Sequence, residues 1–318
     1  MSLPRHAPML AVPWRTPFSD PDWTFEVKWD GVRVALGWDG TRVSAWSRNG
    51  NDLLAAFPEL ESFRWPRPGL IDAELVTFDE RGVPSFERLQ QRLGASGLRA
   101  RELARSIPVS VVAFDVVFDG RSVLDEPLED RFARLESVEP GLVVVSERTE
   151  REGEALFEAV QAASLEGMVA KRLGSQYRPG VRSPDWRKVA VVDRLRAIVG
   201  GFLPGERGRS MTFGSLLLGL NEGDSLRYIG RVGSGFDEQT LAAIRTTLDE
   251  LQSEVCPFAG DVDSSRAKWV EPGLVVRVSF KNWTAAGRLR APVFEGLDLV
   301  DSASVTWEAE GPSQGSVE

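Results

Sequence analysis

Cysteine and histidine are almost absent from this 318-residue chain, which has one of each, Cys256 and His6. One cysteine excludes an internal disulfide framework and a cysteine-rich zinc site. One histidine, set in a Pro-rich N-terminal stretch, argues against a Ser-His-Asp triad or a histidine metal cluster. No run reaches the ~18–20 apolar residues of a membrane span. Residues 1–13 also lack the apolar core of a secretion signal, so no membrane association and a cytoplasmic location are expected. Lysine is scarce too. Of 38 basic residues only Lys28, Lys171, Lys188, Lys268 and Lys281 are lysines, leaving 33 arginines. Where arginine supplies nearly all positive charge, a lysine marks a place that can need an amine able to lose its proton, which arginine cannot offer.

The chain is 42% hydrophobic and 27% charged, a globular composition with length for two domains. Its net charge of −9 argues against indiscriminate nucleic-acid binding and leaves room for a local basic face. Between residues 23 and 190, alternating strand patterns are interleaved with helical ones. Strands are expected over 25–28, 32–36, 43–46, 70–78, 107–118 and 166–171, and helices over 85–94, 127–138 and 152–163. After residue 193 the pattern is nearly all β, with strands over 197–203, 213–220, 226–232 and 274–283 and one helix over 238–251. Five or so strands with one helix suit a small OB-type barrel, a fold that often lies along nucleic acid. The hinge is expected near residues 192–196. Residues 302–318, with three glutamates and no Lys or Arg, read as a disordered acidic tail.

Several short segments carry chemistry. Lys28, at a strand end beside the Asp30-Gly31 turn, presents its amine to a cleft, and nearby Arg33 with partial desolvation favours the nucleophilic amine. Ser47-Arg48-Asn49-Gly50 places Arg48 as a phosphate clamp. Asp72 and Glu74 share one face of an apolar strand, opposite Ala73 and Leu75, so they need a cleft or a cation. Phe114-Asp115 repeats the device. Glu166 precedes a strand that ends in Lys171, and Trp186-Arg187-Lys188 follows. Taken singly, each reads better as an edge-strand charge, a core phenylalanine or a solvated lysine.

Taken in order, Lys28-x-Asp30-Gly31-x-Arg33, Ser47-Arg48-Asn49-Gly50, Asp72-x-Glu74, Phe114-Asp115, Glu166-Gly167-x-Val169-x-Lys171 and Trp186-x-Lys188 resemble the covalent nucleotidyltransferases. Within that superfamily the chain resembles the ATP-dependent DNA ligases of the bacterial ligase D and ligase C type. Phe213-Gly214-Ser215, Tyr228-x-Gly230-Arg231-Val232-Gly233 and Gly287-Arg288-Leu289-Arg290 extend the likeness into the second region. The resemblance implies an α+β fold. An adenylation (nucleotidyltransferase) domain with antiparallel sheets and flanking helices would span 1–192, and a small all-β OB-fold domain 193–301.

It also implies roles. Lys28 would take AMP from ATP. Glu26 would read the adenine edge and Phe114 stack on its face, while Arg33 and Glu74 hold the ribose region. Arg48 would meet the nick phosphate, and Lys171 and Lys188 the α-phosphate. Glu166, with Glu74 or Asp30, would hold Mg²⁺ or Mn²⁺. The implied substrate is nicked or broken duplex DNA, sealed by a monomer working with end-joining repair proteins. An RNA ligase, or a degenerate ligase fold that binds nicked DNA or nucleotide with weak self-adenylation, is the alternative. Three positions depart from the family pattern: Ala190, Asp298 and Asp301 stand where basic residues are usual.

Overall fold

Period-two alternation of apolar and polar residues builds ten strands between residues 10 and 190 of the computed structural model, which describes residues 3–138, 141–206, 211–260, 262 and 266–312. They are β1 (Leu10–Pro13), β2 (Trp23–Val27), β3 (Val32–Trp38), β4 (Val43–Ser47), β5 (Gly69–Val76), β6 (Ser110–Asp119), β7 (Val143–Val145), β8 (Thr149–Glu150), β9 (Gly167–Arg172) and β10 (Arg182–Ala190). One five-stranded sheet runs β1-β10-β9-β2-β8 and the other β4-β3-β5-β6-β7. Helices α1 (Phe86–Gln90), α2 (Gly97–Ser106), α3 (Leu128–Ala133) and α4 (Gly153–Ala162) complete this part of the chain. The chain divides into two compact units, Met1–Val191 and Val192–Glu318.

In the second sheet the alternation is put to use. Val34, Leu36, Ile71, Ala73, Leu75 and Ala113 enter one buried cluster. Arg33, Asp72, Glu74 and Phe114 occupy the intervening positions and so face the other way. Because β3 pairs antiparallel with β5, Arg33 stands opposite Glu74. Burying the apolar face at ~25 cal/mol per Å² holds the polar face in place.

Several expected elements differ from those formed. The helix expected over 85–94 is capped as foreseen, with Ser85 Oγ accepting from the Arg88 N–H at 3.4 Å. It stops at Gln90, because Arg92 turns inward and its Nη2 donates to Glu59 Oε2 at 2.8 Å. Helix α2 was not expected. Its sequence, GLRARELARS, buries only Ala100 and Leu103, too few apolar residues to show a helical stripe. The expected strand 70–78 ends at Val76, and β10, rich in charge and interrupted by Pro184, was not anticipated.

The second unit holds β11 (Asp193–Pro204), β12 (Phe213–Glu222), β13 (Ser225–Val232), α5 (Glu238–Glu250), β14 (Gln252–Ser253), β15 (Phe258–Ala259), β16 (Lys268–Val270), β17 (Val275–Phe280), β18 (Val293–Asp298) and α6 (Trp307–Glu310). Its sheet runs β14-β16-β11-β12-β13-β15, with β17 joining β11 to β18, consistent with an OB-type arrangement. The long β11 pairs with β12, β16 and β17 at different points, which lets one strand serve both sides of a strongly bent sheet.

The expected disordered tail must be corrected. Residues 302–312 are ordered: Val305 is fully buried, and its carbonyl accepts from Asn221 N–H at 3.0 Å. Trp307 packs edge-on against Trp283 at 5.3 Å and lies under the Arg227 guanidinium at 3.7 Å. The low hydrophobicity of this stretch hid the few apolar residues that anchor it. The rest of that expectation, residues 313–318, lies outside the described residues.

Candidate active site

Residues from both sheets of the first unit line a cavity of about 330 Å³. β2 leads into it. Its last residue is Val27, and the Lys28 N–H then bonds the Gly167 carbonyl at 2.8 Å, fixing the lysine against the start of β9. Gly31 makes the following turn possible. A Cβ there would lie 2.1 Å from the Leu75 carbonyl oxygen and 2.9 Å from Glu74 Cγ, so only glycine lets the turn sit this close to β5. Gly167, with φ of 148°, is equally constrained: a Cβ would meet the Val189 carbonyl at 2.2 Å.

Eight expected residues line this one cavity: Glu26, Lys28, Arg33, Arg48, Glu74, Phe114, Lys171 and Lys188. Glu166 is not part of the lining, but its carboxylate pairs with the Lys28 ammonium. Asp30 is half-buried on the turn and does not line the cavity.

Three further ion pairs organise the walls. Lys171 is 2% exposed, with its Nζ 2.8 Å from Glu26 Oε1. The same ammonium donates to the Phe114 carbonyl at 3.0 Å and lies 4.5 Å and 4.8 Å from the ring centroids of Phe114 and Trp186. Burial pushes the Glu26 carboxyl above the ordinary carboxylate range against the pull of Lys171. Arg33 forks onto Asp72, Nε to Oδ1 at 2.9 Å and Nη2 to Oδ2 at 2.6 Å, and Tyr177 donates to the same Oδ2 at 2.6 Å. Burial disfavours this guanidinium's charge, but Asp72 and the neighbouring Tyr177 and Glu74 outweigh it. Asp115, fully buried, receives the Arg131 Nε and Nη2 at 2.8 Å each, behind Phe114.

One expectation is corrected here. Arg33 was to act on Lys28 by its charge, but its fork is committed to Asp72, and the ion pair Lys28 makes is with Glu166. Among the described residues no group of three or more His, Cys, Asp or Glu side chains could hold a metal ion, so a cation held by Glu166 with Glu74 or Asp30 would have two carboxylates at most. Burial does push the Glu74 carboxyl up to about 8, against Arg33 and Lys28 and helped by Asp72 and Glu166. A site that crowds carboxylates in this way suits a hard cation, which takes one or two of them and completes its shell with phosphate oxygens and water.

The sequence reading missed Tyr177 and Arg182. Tyr177, 4% exposed, accepts from the Met9 N–H at 3.1 Å and fastens the N-terminal segment to Asp72. With only two tyrosines in the chain, its scarcity was a usable signal. Arg182 lines the cavity, its Nη1 donating to the Ala11 carbonyl at 2.6 Å. As one arginine among 33, it carried no signal.

In the second unit the residues at the departing positions have local partners. Asp298 lies 3.8 Å from Arg277 Nη1 across the β17–β18 pair, and Asp301 accepts from the Ala303 N–H at 3.0 Å to cap a short 3₁₀ turn.

Residues 8–190 match the family described as ATP dependent DNA ligase domain, and 209–298 match the ATP dependent DNA ligase C terminal region. The chain belongs to the ATP-dependent DNA ligase family. It is 35% identical over 300 residues to the multifunctional non-homologous end joining protein LigD of Mycolicibacterium smegmatis, covering 92% of this chain and 38% of that protein. It therefore spans about two-fifths of the length of the LigD relatives. The SPbeta prophage-derived DNA ligase-like protein LigB of Bacillus subtilis is 29% identical over 91% of this chain and 97% of its own. Among solved structures, the ligase domain of Mycobacterium tuberculosis LigD superposes with a TM-score of 0.55 at 32% identity, over 95% of this chain and 98% of that one. A mycobacterial DNA ligase D complexed with ATP gives 0.54 at 30% identity, with the same coverage. Among the described residues no helix is long and apolar enough to cross a membrane.

Proposed function

We propose that this ligase-family chain seals nicks or joined ends in duplex DNA using ATP. The observation that carries the reading is one cavity in which the Lys28 amine, paired with Glu166, meets a buried aromatic and ionic wall made by Phe114, Glu26 and Lys171. That wall suits a nucleobase: a ring face for stacking beside a carboxyl and an ammonium for its edge. Arg33 and Glu74, opposite one another on β3 and β5, suit the ribose hydroxyls.

In the first step the Lys28 Nζ lone pair attacks the α-phosphorus of ATP, the bond to the β-phosphate breaks, and pyrophosphate leaves with its electron pair. Glu166 is placed to take the proton that the ammonium must lose. In the second step an oxygen of the DNA 5′-phosphate displaces Lys28 and takes the AMP. In the third the strand's 3′-hydroxyl attacks that phosphate, loses its proton and expels AMP, closing the phosphodiester. In such phosphoryl transfers, positioning and charge neutralisation carry the rate, and Lys188 and Arg48 stand in the same cavity for that purpose. Mg²⁺ or Mn²⁺, held by Glu74 and Glu166, would neutralise phosphate charge there.

The end-joining context, with repair proteins as companions, rests on the LigD relatives. The chain would act there as a monomer in the cytoplasm. The test is intact-mass analysis after incubation with ATP and Mg²⁺. One added AMP is expected on the wild-type chain and none on Lys28→Ala. Equal modification of both would remove Lys28 from its role.

A further inference from the structure

The family match ends at residue 298, yet the chain goes on to form an ordered segment over 302–310 that packs on the second unit. Its Ser302 and Val305 carbonyls both accept from Asn221, the first from Nδ2 at 2.8 Å and the second from the N–H at 3.0 Å. Val305 is fully buried. Further on, Glu310 takes Arg196 twice, its Oε1 2.8 Å from Nε and its Oε2 accepting from the Arg196 N–H at 3.1 Å. Trp307 is thus fastened on both sides.

Its indole closes over a hairpin. Residues 281–290 fold back on themselves, with the Lys281 N–H bonded to the Arg290 carbonyl at 3.0 Å and the Thr284 N–H to the Arg288 carbonyl at 2.8 Å. At the tip Gly287 has φ of 67°, and a Cβ there would meet Arg227 Nη2 at 2.9 Å and Trp307 Cη2 at 3.4 Å. Trp283, 3% exposed, receives Trp307 edge-on from within the hairpin. Arg227 is committed to the clamp, its guanidinium against the Trp307 ring and its Nη1 2.9 Å from Glu222 Oε1.

The hairpin carries Arg288 and Arg290. Arg288 is half-buried, its guanidinium 4.3 Å from the Tyr228 ring centroid, and Arg290 is exposed. Among the described residues neither has a carboxylate within ion-pair distance. Burial pushes the Arg288 guanidinium below its usual pKa, and neighbouring Arg227 adds to that against Tyr228. Two uncompensated guanidiniums on one hairpin call for an anion, and their forks fit phosphate oxygens. A loop that had to order itself on meeting a ligand would lose affinity to that ordering, and a loop already clamped does not.

We propose that Trp307 is a positioning residue for DNA binding: it clamps the 281–290 hairpin in advance, so that Arg288 and Arg290 meet phosphates of the duplex. The inference rests on the ligase reading and deepens it, since the clamp comes from a segment outside the family match.

The test measures the affinity of the full chain for nicked duplex between about 50 and 200 mM salt. Trp307→Ala should weaken binding about tenfold, equivalent to ~1.4 kcal/mol, and reduce the slope of log affinity against log salt by about one. Trp307→Phe, which keeps a ring over Gly287, should recover most of both. In a chain carrying Arg288→Ala and Arg290→Ala, Trp307→Ala should cost little more, because the clamp has nothing left to position. Urea unfolding of the same samples reports which variants are folded, and if Trp307→Ala is not, Trp307→Leu takes its place with the same readings. Lys28 adenylation should stay at the wild-type rate in every folded variant. An unchanged salt slope in Trp307→Ala, a full tenfold loss in the background lacking both arginines, or a loss of adenylation would overturn the proposal. Tighter binding by Trp307→Ala would also overturn it and mark the segment as a mask over the hairpin. Failure of wild type to adenylate would instead sink the ligase reading, while the binding comparison would still be measured independently.

Discussion

Replacing Lys171 by methionine separates what its ammonium does for the fold from what it does for the reaction. Lys171 and Glu26 are 2% exposed each and sit 2.8 Å apart, with the ammonium also bonded to the Phe114 carbonyl. Methionine has nearly the volume of lysine, so little cavity opens, and the cost comes from leaving Glu26 buried without its cation. Breaking such a pair from one side costs about 3–5 kcal/mol, a large share of the roughly 5–15 kcal/mol that stabilises a domain. Glu26 moderates this by taking a proton. Burial already sets its folded value above the unfolded 4.5, so the folded state binds the proton more tightly than the unfolded one. Stability contributed by this group is fully present below about pH 4.5 and is lost as pH rises through the folded value. Without Lys171 that value climbs further, so the variant should lose stability with rising pH more steeply than wild type. Adding Glu26→Gln removes the stranded carboxyl and should recover most of the loss. Urea unfolding of wild type, Lys171→Met, Glu26→Gln and the double variant from pH 5 to 8, with adenylation measured in parallel, supplies the cycle. The double variant should be folded and stay poor at adenylation, because the ammonium proposed to meet the nucleotide is still missing. A Lys171→Met chain as stable as wild type at pH 8 would refute the electrostatic account. Full adenylation in the double variant would refute the functional role.

Other outcomes follow from the same geometry. Affinity for nicked duplex should fall steeply between 50 and 200 mM salt despite the net charge of −9, because arginines neutralise phosphates and release counterions; a flat dependence contradicts local basic contacts. Asp298 and Asp301 are tied to Arg277 and to a 3₁₀ cap, where the family usually has basic residues. Single-turnover sealing of pre-adenylated nicked DNA should therefore exceed sealing of ordinary nicked DNA with ATP, and equal rates would show those positions to be immaterial. Gly31→Ala should abolish adenylation or folding, since its Cβ would meet the Leu75 carbonyl at 2.1 Å; a fully active variant would show that the turn can move.

How much could be read from the sequence depended on how rare each signal was. Three of the five lysines line the one cavity between the two sheets of the first unit, and rarity made them stand out. The alternation of Asp72 and Glu74 with Ala73 and Leu75 gave the correct faces because period two follows from strand geometry. Partners were harder. That Lys28 pairs with Glu166, 138 residues away, depends on β2 lying beside β9, which no local pattern encodes. Helix α2 and strand β10 were hidden by arginine and proline, and Arg182 by the abundance of its own kind. Residues 302–312 looked too polar to fold, yet Val305 and Trp307 are enough to hold them.

The topology of the first unit bears on the order in which a ribosome-borne chain can assemble it. The sheet β4-β3-β5-β6-β7 uses strands between Val32 and Val145 with mostly neighbouring partners, so it can close while synthesis continues. The other sheet cannot. β2 has no neighbour until β8 and β9 emerge, and β1 pairs in parallel with β10, the last strand of the unit. The segment leading into Lys28 therefore waits through more than a hundred residues of translation with an apolar strand uncovered. Slowing elongation after residue 145 should lengthen that exposure, and chains stalled before β9 should be the ones that aggregate.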